Sequence, residues 1–121
     1  MSQWSKLNTK QKNKLTKLGR AVALQMTSAV TKRSPVDTGR FRSNWFPSVG
    51  APSTTVDEYG NTKTVIKGMQ PGDIFYFVNN LPYAHKLEYG HSDQAPQGFV
   101  RITVAEFSPL VDAQVKLISR E

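Results

Sequence analysis

Cysteine is absent from the 121 residues, which excludes a disulfide framework, a thiol nucleophile and thiolate metal ligation. Histidine is nearly so, with only His85 and His91. No apolar run approaches the roughly 20 residues that cross a bilayer. The opening Met1-Ser2-Gln3-Trp4-Ser5-Lys6 lacks the apolar centre of a signal peptide, so synthesis inside the cell is expected. Acidic residues are scarce early on: residues 1–42 hold ten Lys or Arg against Asp37 alone, whereas residues 43–121 hold six against eight acids. The net charge of +7 is therefore carried by the first third of the chain. That asymmetry fits a polyanionic or acidic partner, and it equally fits a solvated helix face that keeps the protein dispersed.

Several catalytic signatures are also missing. There is no Gly-x-Ser-x-Gly elbow, no Walker lysine loop and no dinucleotide glycine fingerprint. The adjacent carboxylates Asp57 and Glu58 would point opposite ways in a strand. His85, Glu88 and His91, with Asp93 nearby, are the sharpest candidate for a metal site, but their spacing is not the helical two-histidine pattern of zinc proteases. The reading is a non-enzyme without metal or cofactor.

What is present is enough apolar residue, 38% with a mean hydropathy of −0.45, for one domain spanning 1–121 with a modest core. Trp4, Leu7, Leu15, Leu18, Val22, Met26 and Ala29 recur at helical steps, with Lys6, Lys10, Lys17 and Arg20 on the opposite side. A long amphipathic helix from about residue 4 to about 32 follows, ended by Ser34-Pro35. Lys6, Lys10, Lys17 and Arg20 are the candidates for contact with DNA phosphates or an acidic partner. No sequence-reading DNA module accompanies them.

Asp37 or Thr38 can cap a short turn over Gly39 to Ser43. Arg40 and Arg42 could contact phosphate or pair with acids such as Glu88. Asn44 to Val49 reads as a strand, with Pro47 placing it at an edge or an end. Thr54-Thr55-Val56 and Thr62 to Ile66 flank Glu58-Tyr59-Gly60-Asn61, the pattern of an exposed, mobile hairpin arm. Gln70-Pro71-Gly72-Asp73 is a turn, and Ile74 to Val78 the most apolar strand, expected at the centre of an antiparallel sheet of about three strands. Pro82 to Tyr89 gives a short helix in which Tyr83 and Leu87 share a face, with Gly90 as its left-handed stop. Val100, Val104, Phe107, Val111, Val115 and Ile118 then line one face of a long C-terminal helix to about Ser119. Val100-Ile102-Val104 also alternates like a strand. Pro109 implies either a second helix capped by Ser108 or a kink. The fold class is α+β.

Two blocks carry a resemblance. Ser34-Pro35-Val36-Asp37-Thr38-Gly39-Arg40-Phe41-Arg42-Ser43 resembles the P-V-D-T-G-x-L-R-x-S block of the neck and tail-completion (minor tail component) family of long-tailed bacteriophages. Tyr83, Ala84, Glu88, Gly90, His91, Ser92, Ala95, Phe99 and Arg101 match that family's second block. Phe41 stands where leucine is commoner, Gly98 where proline often precedes the phenylalanine, and no proline follows Arg101. The resemblance implies a structural virion protein at the head–tail junction, made in the bacterial cytoplasm, with copies in a ring around the DNA channel. Its partners would be itself, head-closure or connector proteins, a tail terminator or tail tube, and double-stranded DNA through its backbone, with no membrane. Pro35, Asp37, Thr38, Gly39, Arg40, Arg42, Tyr83, Ala84, Glu88, Gly90, Phe99 and Arg101 are the motif residues, expected to pack the two blocks together, with Arg40–Glu88 as a candidate ion pair. A small DNA-binding protein indifferent to sequence is the alternative.

Overall fold

The structure, a computed structural model, describes residues 3–36, 39–70, 72–89 and 98–120, with only the backbone of Gln3 and Trp4. Gln3–Lys6 forms a 3-10 turn, and the long helix α1 runs over Thr9–Arg33. Its start lies later than expected because Asn8 caps it. The Asn8 side chain accepts from the Gln11 N–H at 2.8 Å, and the Gln11 side chain accepts from the Asn8 N–H at 2.9 Å, a reciprocal box that fixes the first turn. Ser34 is extended ahead of Pro35, and the helix stops there.

The apolar stripe of α1 is only half covered, with Leu15 46% exposed. The fully buried positions are Thr27 and Val30, because α1 packs against three later helices, at Thr62–Gly68, Val100–Ala105 and Phe107–Ser119, rather than against one neighbour. Burial of Thr27 is compatible with its hydroxyl, which donates back to the Ala23 carbonyl at 2.8 Å.

The sheet has two strands, β1 (Trp45–Val49) and β2 (Phe75–Asn79), paired antiparallel with Pro47 opposite Phe77. Among the described residues the expected third strand and hairpin arm are absent. Residues 50–61 are irregular, and Thr62–Gly68 forms helix α3, whose Asn61 cap accepts from the Thr64 N–H at 3.0 Å. Its β-branched run favours a strand locally, but burying Ile66 while α3 packs on α1 overrides that preference. The preceding loop is largely exposed, as expected, and is joined to the fold by the Asn80 amide, which donates to the carbonyls of Ser53 and Thr55.

Pro47 fits β1 for a specific reason. The Gly50 N–H donates to the Ile74 carbonyl at 2.9 Å, and the same register makes Phe46/Val78 and Ser48/Tyr76 the pairs that exchange hydrogen bonds. The missing N–H of Pro47 therefore falls on the outer edge.

Helix α4 covers Ala84–Glu88, α5 Val100–Ala105 and α6 Phe107–Ser119. The last two are separated at Glu106, three residues before Pro109. A proline ring clashes with the carbonyl four residues back, here Ala105, so the kink is felt one turn upstream and Ser108 caps nothing. Along the expected stripe Ile118 is buried, but Val104, Phe107 and Val115 are 58%, 48% and 44% exposed. Both helices pack on α1, α6 more extensively than α5.

Val30, Phe41, Leu81 and Phe99 form the core, with Trp45, Phe77, Ala84, Leu87 and Val100 packed around it. Edge-on contacts join Phe41 to Phe99 at 5.3 Å, and Trp45 stacks on Phe77 at 5.2 Å.

Candidate functional site

The two motif blocks meet at this aromatic core. In the first, buried Pro35 follows Ser34, whose hydroxyl donates to the Val30 carbonyl at 2.7 Å and accepts from the Trp45 indole at 2.8 Å. The Arg42 guanidinium donates to the carbonyls of Lys32 and Ser34 at 2.8 and 2.9 Å. It thereby satisfies carbonyls at the end of α1 that no further helical turn can reach. Gly39 leads into the single turn α2 (Arg40–Ser43) at φ 77°, a conformation that glycine adopts without strain. Asp37 and Thr38, the expected caps, lie outside the described residues. Phe41 is 5% exposed and carries this block into the core.

Arg40 does not reach Glu88. Its Nε and a terminal nitrogen donate to the two Asp57 carboxylate oxygens at 2.9 and 2.7 Å, the bidentate geometry that suits a guanidinium. Asn44, 2% exposed, completes the unit: its amide donates to the Arg40 carbonyl and to Asp57, and its oxygen accepts from the Asp57 N–H. These bonds hold Asp57 at φ 58°, which is uncommon outside glycine. The Arg40 hydrogen bond, then that of Asn44, pulls the Asp57 carboxyl down to about 2. The same pairing raises the Arg40 guanidinium further.

The second block turns on Glu88 at the end of α4. Ala84 and Leu87 face the core, and the Tyr83 ring lies 6.0 Å from Phe41. Glu88 is 8% exposed. Its carboxylate accepts from the N–H groups of Phe99, Val100 and Arg101 at 2.9, 2.8 and 3.0 Å, and from the Arg101 side chain at 2.9 Å. Arg101 returns a bond to the Glu88 carbonyl at 2.7 Å and lies over the Tyr89 ring. The N-cap of α5 is Phe99, whose side chain caps nothing. Glu88 supplies the cap from 11 residues away, placing an anion where the helix dipole favours one. Burial alone would raise its carboxyl, but the three backbone donors and Arg101 outweigh that and leave it lowered.

Gly98 makes this closure possible. It has φ 87°, and a Cβ there would stand 2.6 Å from a Glu88 carboxylate oxygen and 2.8 Å from the Glu88 carbonyl. Proline, with φ fixed near −65°, cannot take that conformation. Gly90, His91, Ser92 and Ala95 lie outside the described residues. Both Glu88 oxygens are engaged, and among the described residues no group of three His, Asp or Glu could hold a metal.

Lys6, Lys10 and Lys17 are exposed. Arg20 departs from them: it donates to the Met69 carbonyl at 2.8 Å and joins α1 to the end of α3. Asp57 and Asn44, which hold Arg40, and Asn79, which donates to the Phe41 carbonyl, carried no signal in the sequence, since polar residues in turn-rich segments are common and their partners are remote. Gly98 had one, the substitution of the expected proline. Compared with known proteins, the chain matches no family model, no curated protein and no solved structure.

Proposed function

We propose that this chain is a structural virion protein of the phage neck and tail-completion type, joining tail to head as a subunit of a ring around the DNA channel. The observation that carries the reading is the closure of the two motif blocks on each other. Phe41 from the first lies against Phe99 and Tyr83 from the second, so residues far apart in the chain form one interlocked unit. Each block is also closed internally, by Arg42 on α1 and by Glu88 on α5. Such a rigid centre, with half-exposed apolar side chains such as Phe107, Val115 and Leu117 on α6, suits a subunit with different faces for its neighbours. The role requires no catalytic group and no cofactor.

The test is light scattering of the purified chain, alone and mixed with head-closure and tail-tube or tail-terminator proteins from one phage. A discrete ring, alone or with a partner, is expected. Indifference to every virion partner overturns the reading.

The exposed Lys6, Lys10 and Lys17 favour one second reading, a DNA-backbone binder. It requires binding to any duplex that weakens steeply as salt releases its counterion advantage.

A further inference from the structure

The two edges of the sheet are not equivalent. On β1, the outer edge carries Pro47, which has no N–H, and Gly60 presses on it so closely that an added Cβ would come within 2.7 Å of the proline ring. Proline and a covering loop are devices that stop a strand from pairing further. On β2, the register that gives Tyr76 and Val78 to β1 leaves the N–H and C=O groups of Phe75, Phe77 and Asn79 pointing outward. Among the described residues these backbone groups have no hydrogen-bond partner. The strand Phe75-Tyr76-Phe77-Val78-Asn79 contains no charge, lysine or proline, so no guard in its own sequence protects it. Beside it, Phe75 and Phe77 line an apolar groove of about 200 Å³ with Met26, Thr27, Val100 and Val104. Ile74, at the head of the strand, is 61% exposed.

We propose that this edge pairs with the same edge of a second copy, β2 antiparallel to β2, joining two sheets into one of four strands. The occupant follows from the strand's self-complementarity. The register that overlaps all five residues places Phe77 opposite Phe77, and Tyr76 opposite Val78 on both sides of the two-fold axis. Aromatic–aromatic and aromatic–β-branched pairs are the favourable cross-strand combinations. Phe75 falls opposite Asn79, and no like charges meet. The axis stands perpendicular to the sheet between the two Phe77 residues, so both apolar grooves open on the same side, next to each other. The blocked β1 edges end the sheet at four strands, so the contact is isologous and closes as a dimer. It describes the free protein and is independent of the junction role. A chain entering a head-to-tail ring would have to release it.

The dimer works against its own charge. Two chains of net charge +7 repel, and salt screens that repulsion, so association tightens as salt rises, opposite to binding on DNA.

The experiment is sedimentation equilibrium of the full chain over a concentration series at two salt concentrations, combined with cysteine cross-linking in a protein that has no native thiol. The mass should approach twice 13.5 kDa, more readily at high salt. Tyr76→Cys and Val78→Cys chains, mixed and oxidised, should cross-link far more than either alone, because a disulfide needs Cα atoms within about 7 Å and only the mixed pair is directly opposite. Phe75→Pro, which removes one outward N–H at the first strand position, where proline is tolerated, should weaken the dimer at least tenfold with the circular dichroism of the fold retained. If Phe75→Pro does not fold, the cysteine pair decides alone. A monomer at every concentration, association continuing past two copies, or cross-linking as efficient in either single variant as in the mixture overturns the proposal.

Discussion

Removing the Glu88 carboxylate tests the central joint of the structure. In Glu88→Ala three N–H groups at the start of α5 and the Arg101 guanidinium lose their shared acceptor. The Phe99 N–H is buried and stays unpaired, at about 1–3 kcal/mol for such a group. Those of Val100 and Arg101 are partly buried and recover part of their loss from water. Together with the lost ion pair the expected destabilisation is about 3–4 kcal/mol, within the range for breaking one side of a buried pair. That is a large share of the roughly 5–15 kcal/mol that holds a domain together. Glu88→Gln keeps one acceptor oxygen but turns an N–H₂ toward donors, and should lose about 2 kcal/mol. Arg101→Ala, whose side chain is 52% exposed, should lose about 1 kcal/mol or less.

Acid gives an independent reading of the same group. Because the folded carboxyl of Glu88 is lowered, its stabilisation is complete above the unfolded glutamate value of about 4.3 and is lost as pH falls from there through the folded value. Wild-type stability should therefore fall across that acidic window more steeply than that of Glu88→Gln. Urea unfolding followed by tryptophan fluorescence, at neutral pH and through the acidic range, measures both effects. A Glu88→Ala protein within about 1 kcal/mol of wild type would refute the capping argument. So would equal pH slopes for wild type and Glu88→Gln.

Gly98→Ala should destabilise by about 2–3 kcal/mol, combining a positive φ with a Cβ overlapping Glu88; an unchanged thermal midpoint would contradict it. Asn44→Ala should lose about 2–3 kcal/mol by leaving the Asp57 N–H and Arg40 carbonyl without their buried partner, read in the same urea assay. Carboxyl titration by NMR should find Asp57 near 2, so its contribution persists at mild acidity and is lost only as pH falls from the ordinary aspartate range through that value. Arg40→Met should return Asp57 toward the ordinary value, and no movement would exclude the pairing.

Much of the local structure was legible in the residues themselves. Ser34-Pro35 ends α1 because proline restricts its predecessor, Pro47 marks an edge because it cannot donate, and the aromatic run of β2 makes a strand. These outcomes depend on neighbours within one turn or one pleat. The motif blocks were legible too, but not the reason for their residues. Arg40 had several acids within plausible reach, and its partner is Asp57, 17 positions on, chosen by a loop whose course depends on Asn44, Asn80 and the packing of Gly60 on Pro47. Glu88 was a candidate metal ligand or partner of Arg40, and became a helix cap only when the chain returned 11 residues later at the left-handed Gly98. Thr62–Gly68 had the composition of a strand and became a helix because α1 offers Ile66 a place to be buried. Arg20 had the period of the basic face and was drawn to Met69. Periodicity and capping fix most segments as helix or strand, Thr62–Gly68 being the exception, since the atoms involved are near in sequence. Which side chain meets which is decided where distant segments close on one another, and there burial and unsatisfied hydrogen-bonding groups outweigh local preference.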